Sequence, residues 1–265
     1  LHSGANLKSF YALPDDVSVG NIMSSLGESA TGVITEGGAT SQIAPGLWAG
    51  SLSNISPNKG YWIIVDTALD LCLSDATPTD SDLLYSLHSG ANLISFPYQG
   101  SIGISAGIPD DVEGEFTGII GEGVAASQIS PNNWVGSLSA WSGTKGYWAK
   151  TEVGVSFIFN APGLMRSDEF LDESPYEYVQ STEQAFYFIL DATIDGVPIE
   201  EGDWIAAFKG DVCVGSRQWI GSYTDIPVMG DDGEEYSAGY MLPGEYPTFR
   251  VYKLSDSSIF NAHPS

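Results

Sequence analysis

The side chains best suited to metal chemistry are carboxylates in two short turns of the C-terminal region. They are Glu200, Glu201, Asp203, Asp231, Asp232 and Glu234. Calcium takes six to eight oxygen ligands, which loops of this kind supply. Neither group follows the spacing of an EF-hand, so two interpretations stay open: a Ca²⁺ site, or solvated acidic loops without a metal.

The other residues that often do chemistry match no catalytic motif. There is no His-Glu-x-x-His, no Cys-x-x-Cys zinc pattern, no Gly-x-Ser-x-Gly elbow and no Walker loop. Gly121-Glu122-Gly123 lacks the third glycine of a dinucleotide fingerprint. Of the three histidines, His2 and His88 stand in the same seven-residue string, which favours a structural role, and His263 lies in the C-terminal tail. We therefore predict no enzyme activity, no catalytic residues and no cofactor apart from the Ca²⁺ considered above.

Composition excludes several classes of protein. The 265 residues are 43% hydrophobic and 12% aromatic, which is typical of a folded chain. Thirty-four acidic residues against nine basic ones give a net charge of −25, which repels nucleic acid and anionic lipid. No apolar run reaches the length of a membrane span. Two cysteines, Cys72 and Cys213, do not make a disulfide framework, so we expect two unpaired thiols, with Cys213 buried in a strand.

A tandem repeat organises the first two thirds of the chain. Leu1-His2-Ser3-Gly4-Ala5-Asn6-Leu7 recurs at 87–93, and a shift of 86 aligns 1–62 with 87–148 at about 30 identities. This is a duplication, and we predict one fold for both copies, with Trp48, Trp134, Trp62 and Trp148 in their cores. The predicted domains are 1–86 (repeat 1), 87–164 (repeat 2) and 165–265.

Most of each repeat carries strand signals. Asn92 to Phe96 alternates apolar and polar residues and stops at Pro97, and further strands are predicted at 134–138, 146–150 and 153–159. The exception is Val19, Ile22, Met23 and Leu26, whose spacing indicates a short amphipathic helix.

The third region, 165–265, is more acidic than the two repeats and does not share their sequence. An acidic linker runs from Met165 to Glu177, and residues 165–265 hold 19 acidic and five basic residues, a net charge near −14. Strands are predicted at 185–190, 204–208, 212–219, 226–229 and 247–254, separated by turns that contain glycine. This pattern is typical of an antiparallel β-sandwich, so the fold class predicted for the chain is mostly all-β.

Two further motifs concern sugars. Exposed tryptophans can stack on sugar rings, so a carbohydrate-binding module is an alternative to core packing. Asn54-Ile55-Ser56 fits a glycosylation sequon, and repeat 2 lacks it because Ala140 replaces Asn54.

Two groups of sequence segments resemble modules of known proteins. Residues 87–97, 117–125 and 146–148 resemble repeat modules of large secreted or cell-surface multidomain proteins of aquatic bacteria. Residues 195–208 and 211–215 resemble a β-sandwich module of the same proteins, found upstream of type IX secretion signals. The resemblance implies an extracellular or cell-surface location and a non-catalytic role.

These observations together predict an extracellular structural or adhesive protein, a self-associating subunit of a surface filament or fibre. The alternative is a carbohydrate-binding accessory region of a secreted enzyme. The chain opens on Leu1-His2 with no signal peptide. This fits either a cytosolic protein or a mature or trimmed piece of a longer protein. The tandem repeat favours the second interpretation. The third region is expected to end one strand short after 247–254, which leaves an open sheet edge. We predict that this region contacts the N-terminal module of another copy head-to-tail, either by strand addition or by a close end-to-end interface.

Overall fold

The computed structural model describes residues 1–162 and 174–263, so most of the predicted acidic linker lies outside it. The described residues fall into two compact units. The first comprises 1–122, 126–134 and 138–162, and therefore contains most of both repeats. The second comprises 174–263 together with the short segments 123–125 and 135–137.

Repeat 1 contains seven strands and a short helical segment. The strands are β1 (Gly4–Lys8), β2 (Ala12–Leu13), β3 (Ala30–Thr35), β4 (Gly38–Ala44), β5 (Leu47–Gly50), β6 (Tyr61–Val65) and β7 (Thr77–Pro78). Helix α1 (Val19–Ile22) leads into a 3-10 segment, Ser24–Ser29. Ser18 caps α1 by accepting from the backbone N–H of Asn21. All four apolar residues of the predicted amphipathic helix are buried.

The described part of repeat 2, together with the two residues directly before it, contains nine strands and two helices. The strands are β8 (Tyr85–Leu87), β9 (Gly90–Ile94), β10 (Ser101–Gly103), β11 (Phe116–Ile120), β12 (Ala125–Ser130), β13 (Asn133–Val135), β14 (Ala140–Ser142), β15 (Tyr147–Thr151) and β16 (Val155–Phe157). The helices are α2 (Ile104–Gly107) and α3 (Asp110–Glu113).

The predicted identity of fold between the repeats is confirmed by their sheets. Repeat 1 has the antiparallel order β1-β6-β3-β4-β5, and repeat 2 has the equivalent order β9-β15-β11-β12-β13. The pairing registers agree as well. Gly4 opposes Val65 in repeat 1, and the residues 86 positions later, Gly90 and Thr151, oppose each other in repeat 2. The β-bulges also lie at equivalent positions. In repeat 1 the bulge is between Ala30 and Gly32, and in repeat 2 it is between Phe116 and Gly118.

The repeated tryptophans differ in burial. Trp62 is 2% exposed, so its predicted core position is confirmed. Trp48, Trp134 and Trp148 are half-buried. Trp48 packs against the core of repeat 1, and the indole of Trp134 donates to Oε1 of Glu113 at 2.7 Å. The fully buried tryptophan of repeat 2 is Trp141, within a cluster of aromatic rings.

The second unit is built from two main antiparallel sheets. Its strands are β17 (Gln184–Ile189), β18 (Thr193–Ile194), β19 (Val197–Pro198), β20 (Trp204–Lys209), β21 (Val212–Gln218), β22 (Thr224–Met229), β23 (Thr248–Lys253) and β24 (Ser258–Ala262). One sheet has the order β21-β20-β23-β24, and the other pairs β17 with β22. The core includes Ile205, Val214, Ile226 and Phe249. The predicted all-β class is therefore confirmed.

The expectation of a missing last strand is wrong. Residues 258–262 form β24, which pairs antiparallel with β23 from Phe249↔Ala262 to Lys253↔Ser258. The segment alternates in burial, and the half-buried Phe260 packs against the core. The edge of β23 is thus covered within the chain. Within the described ranges, no helix is long and apolar enough to cross a membrane.

Candidate functional site

The shared string His-Ser-Gly-Ala-Asn forms the same closed loop in both repeats. The backbone N–H of His2 donates to Oδ1 of Asn6 at 2.9 Å, and Asn6 Nδ2 donates back to the carbonyl of His2 at 2.8 Å. His88 and Asn92 make the same two hydrogen bonds, at 2.9 and 2.8 Å. The loop turns on a glycine with positive φ, Gly4 at 96° in repeat 1, which only glycine adopts readily. Each histidine ring is thereby held at the start of an edge strand.

Each ring lies between two hydrogen-bond acceptors. His2 Nδ1 is 2.8 Å from the carbonyl of Ser3, and His2 Nε2 is 2.6 Å from Oε1 of Glu122. A carbonyl and a carboxylate both only accept, so the ring makes both bonds when both nitrogens carry protons. The geometry therefore selects the imidazolium form.

The glutamates come from the opposite repeat in each case. Glu122 of repeat 2 binds His2 of repeat 1, and Glu36 of repeat 1 binds His88 of repeat 2, with 2.5 Å between His88 Nε2 and Glu36 Oε1. Glu36 and Glu122 are themselves 86 residues apart. We call these two reciprocal interactions, His2–Glu122 and His88–Glu36, the crossed clasps.

The second oxygen of each glutamate binds the outer edge of a sheet. Glu122 Oε2 accepts from the backbone N–H of Leu7 at 2.8 Å, and Glu36 Oε2 accepts from that of Leu93 at 3.0 Å. Leu7 lies in β1 and Leu93 in β9, which are the end strands of the two sheets. Each carboxylate thus satisfies an edge N–H that would otherwise lack a strand partner.

Backbone pairing continues these contacts between the repeats. The N–H of Gly146 donates to the carbonyl of Leu7, and that of Gly60 to the carbonyl of Leu93, both at 3.1 Å. A Cβ at Gly60 would lie 2.9 Å from the carbonyl oxygen of Ile94, and one at Gly146 would lie 2.8 Å from that of Lys8. The shared Lys-Gly-Tyr-Trp string therefore has a glycine where the backbone of the opposite repeat leaves no room for a Cβ.

The two clasps differ in charge and exposure. Lys8 Nζ lies 3.0 Å from Glu122 Oε2, whereas Ile94 occupies the equivalent position in repeat 2. The side chain of Glu122 is 18% exposed and that of Glu36 is 33% exposed. The hydrogen bond to Glu122 raises the pKa of His2, outweighing partial burial. Burial alone would raise the pKa of Glu122, but His2 and Lys8 together hold that pKa below its ordinary value. The carbonyl of Ser89, and then Glu36, raise the pKa of His88.

Asp203 and Asp232, two residues of the predicted Ca²⁺ site, each accept hydrogen bonds from two or more protein donors. Asp203 is 3% exposed, and its carboxylate accepts from the backbone N–H groups of Glu200 and Leu254. Asp232 accepts from Thr182, Tyr236 and Ser237. Burial opposes the ionisation of Asp232, but these hydrogen bonds outweigh it and lower its pKa to about 2.

The remaining predicted ligands, Glu200, Glu201, Asp231 and Glu234, lie in the same turns, and Asp231 Oδ1 accepts from the N–H of Gly233. Over residues 1–162 and 174–263, no group of three or more His, Cys, Asp or Glu is arranged to hold a metal ion. The Ca²⁺ site stays a prediction.

Other candidate residues lie apart from the clasps. Asn54 is exposed, so the sequon is accessible, and glycosylation stays a prediction. Both cysteines are free, as expected, but Cys213 is half-buried in β21 rather than buried. Asp225 on β22 is fully buried 3.5 Å from Arg217, and desolvation raises its pKa. His263 is exposed.

Glu36 and Glu122 are the site residues that sequence reasoning missed. Their signal was present, because the shift of 86 that aligns His2 with His88 also aligns Glu36-Gly37 with Glu122-Gly123. The predicted structural role of His2 and His88 agrees with the clasps. No protein-family model matches the chain, and neither a curated protein nor a solved structure matches it.

Proposed function

We propose that this chain is an extracellular structural or adhesive protein that self-associates as a subunit of a surface filament or fibre. The resemblance of its repeats to modules of secreted proteins supports the location. The crossed clasps support a non-catalytic role, because they use His2 and His88 to hold two repeats together.

The observation that carries self-association is the β4–β5 hairpin of repeat 1. Strand β5 is the last strand of its sheet within the described part of the chain. Ile43 on β4 is 64% exposed, and Leu47 on β5 is 55% exposed. An edge strand beside exposed apolar side chains favours pairing with another chain. We infer that this edge contacts a neighbouring copy.

The test is the oligomeric state of the full chain. Light scattering after gel filtration, with electron microscopy at high protein concentration, should show oligomers or fibres. An Ile43→Lys, Leu47→Lys variant should shift the protein toward monomer, because it places charge on the edge. The matched control is Ile259→Lys, on the edge strand β24 of the second unit, where Ile259 is 58% exposed. A wild-type protein that stays monomeric at all concentrations contradicts the proposal.

Glycan binding is the second candidate, favoured by the half-buried Trp48 and Trp134 at equivalent positions. A monomer that binds a glycan array, and loses that binding in Trp48→Ala, would support this alternative.

A further inference from the structure

Two short segments of the second unit, 123–125 and 135–137, bind a buried carboxylate. Asp225 Oδ1 accepts from the backbone N–H of Ser137 at 2.7 Å. Asp225 Oδ2 accepts from the hydroxyl of Ser137 at 2.8 Å and from the backbone N–H of Ala125 at 3.2 Å. Three donors thus converge on one carboxylate, and two of them are backbone groups.

Repeat 1 has the same donors in and beside its β4–β5 hairpin. A shift of 86 places Ala39 and Ser51 at the positions of the two residues that bind Asp225. The backbone is equally close at both places. A Cβ added at Gly50 would collide with the carbonyl of Ala39, and one added at Gly136 would collide with the equivalent carbonyl. The two hairpins therefore present the three donors in the same arrangement.

The two sets of donors differ in what they bind. Ala39 and Ser51 are exposed, whereas Ala125 is buried and Ser137 is half-buried. The N–H of Ala39 donates to Ser51 Oγ at 3.2 Å. In the described part of the chain, the N–H of Ser51 has no hydrogen-bond partner. Repeat 1 therefore exposes the donor set that holds a carboxylate in the second unit.

The chain around both donor sets is uncharged. Residues 37–58 contain no acidic or basic side chain, and neither do residues 123–144. The second of these stretches accommodates the carboxylate of Asp225. Because the whole chain has a net charge of −25, an approaching acidic protein is repelled by most of its surface. The stretch 37–58 lacks that local repulsion, so its donors are suited to a carboxylate of another acidic chain.

We propose that Ala39 and Ser51 bind an aspartate or glutamate side chain of a second copy of this chain. The N–H of Ala39 passes from Ser51 Oγ to the carboxylate, which also accepts from the N–H and the hydroxyl of Ser51, as Asp225 does in the second unit. The exposed Ile43 and Leu47 of the same hairpin add apolar contacts. This inference rests on the proposed self-association of the β4–β5 edge and names the groups that make the contact.

The first test uses Ser51→Asp. Its carboxylate lies beside the donors, so it occupies the site from within the chain and repels an incoming carboxylate. Sedimentation velocity over a range of concentrations should show self-association weaker than wild type by roughly tenfold or more. The control is Ser24→Asp, at an exposed position of the 3-10 segment of repeat 1, which changes the net charge equally and should associate as wild type does.

Two outcomes of this test overturn the inference while the proposed self-association stands. One is a Ser51→Asp variant that associates as tightly as wild type. The other is an equal loss in Ser51→Asp and Ser24→Asp, which would assign the effect to net charge.

The second test measures the site without self-association. Acetate is titrated into dilute ¹⁵N-labelled full chain, with chloride at the same ionic strength as the reference, and the amide resonances are followed. The amides of Ala39 and Ser51 should shift saturably. Those of Ala125 and Ser137 should not, because Asp225 occupies their site. In Ser51→Asp the acetate-dependent shift of Ala39 should disappear.

The two tests separate failure of this inference from failure of the proposed function. Absence of saturable shifts at Ala39 and Ser51 overturns the carboxylate site even if the protein self-associates. A wild-type protein that stays monomeric overturns the proposed function and the second copy as the occupant. Saturable acetate shifts in that monomer would still support the carboxylate site itself.

Discussion

The imidazole of His2 donates from Nε2 to Oε1 of Glu122 over 2.6 Å, joining residues 120 positions apart in the chain. The reciprocal pair, His88 with Glu36, repeats the contact in the opposite direction. Because each partner belongs to a different repeat, the two clasps hold the duplicated sheets to each other. The clasps thus help to hold repeat 1 and repeat 2 together in one compact unit.

The clasp that includes Lys8 should contribute more stability than its counterpart. Glu122→Gln removes a carboxylate that accepts from His2, Lys8 and the N–H of Leu7. Hydrogen bonds to charged groups contribute about 1.5–3 kcal/mol, and partial exposure reduces this, so we expect a loss of about 1–2 kcal/mol in urea unfolding. The matched control, Glu36→Gln, should lose less, because Ile94 replaces the lysine. An equal or larger loss in the control would contradict this ranking.

The histidines should make the free energy of unfolding fall as pH rises from 6.5 through their folded pKa values. The pKa of both His2 and His88 is raised in the folded state above 6.5. The protonated histidines therefore stabilise the folded state fully below pH 6.5. This stabilisation is lost as pH rises through the pKa that each histidine has in the folded protein. The pKa of Glu122 is lowered in the folded state, so its carboxylate stabilises the fold fully above pH 4.5. That stabilisation is lost as pH falls through the folded pKa of Glu122. Urea unfolding at several pH values should show the high-pH decline, and His2→Gln, His88→Gln should flatten it. A decline of unchanged size in the double variant would assign it to other groups.

Gly60 and Gly146, which lie against the backbone of the opposite repeat, should not tolerate a side chain. Alanine at Gly60 or Gly146 would place a Cβ within 3.0 Å of backbone from the other repeat. Overpacking of this kind costs about 1–3 kcal/mol, measurable by chemical unfolding. Gly114→Ala is the control, because its φ is −61° and no atom lies within 4 Å of the added Cβ. It should be neutral or slightly stabilising. Similar losses in all three variants would show that close approach is not the cause.

Asp232 should anchor its turn in the second unit. Asp232→Asn places an amide among donors from Thr182, Tyr236 and Ser237, so at least one loses its acceptor. We expect a loss of about 1–2 kcal/mol near pH 7. The stabilisation by the native carboxylate is present above pH 3.8 and is lost as pH falls toward about 2. Asp231→Asn is the control and should lose less. Equal stability of Asp232→Asn and wild type would exclude this role.

Calcium is expected to raise the melting temperature if the acidic turns bind it. Six carboxylates lie in these turns, in a region with a net charge near −14, and a divalent cation offsets that repulsion. The measurement is a thermal melt at millimolar Ca²⁺, compared with NaCl at the same ionic strength. An unchanged melting temperature would identify the turns as solvated loops.

The amino-acid sequence by itself determined the common fold of the repeats and five strands of the second unit, β17, β20, β21, β22 and β23. Thirty aligned identities preserve the same alternation of apolar and polar residues, so both copies form the same strands with the same faces buried. Local pattern did not reveal β24, because a short segment near a chain end becomes a strand only when a neighbouring edge supplies its hydrogen bonds.

The crossing of the clasps was decided by tertiary structure alone. A shift of 86 aligns His2 with His88 and Glu36 with Glu122, but it fits bonds within a repeat as well as bonds between repeats. The choice depends on where β1 and β9 lie relative to the opposite sheet. That placement follows from burial of apolar surface and pairing of edge backbone groups, which are non-local and leave no periodic pattern in the sequence.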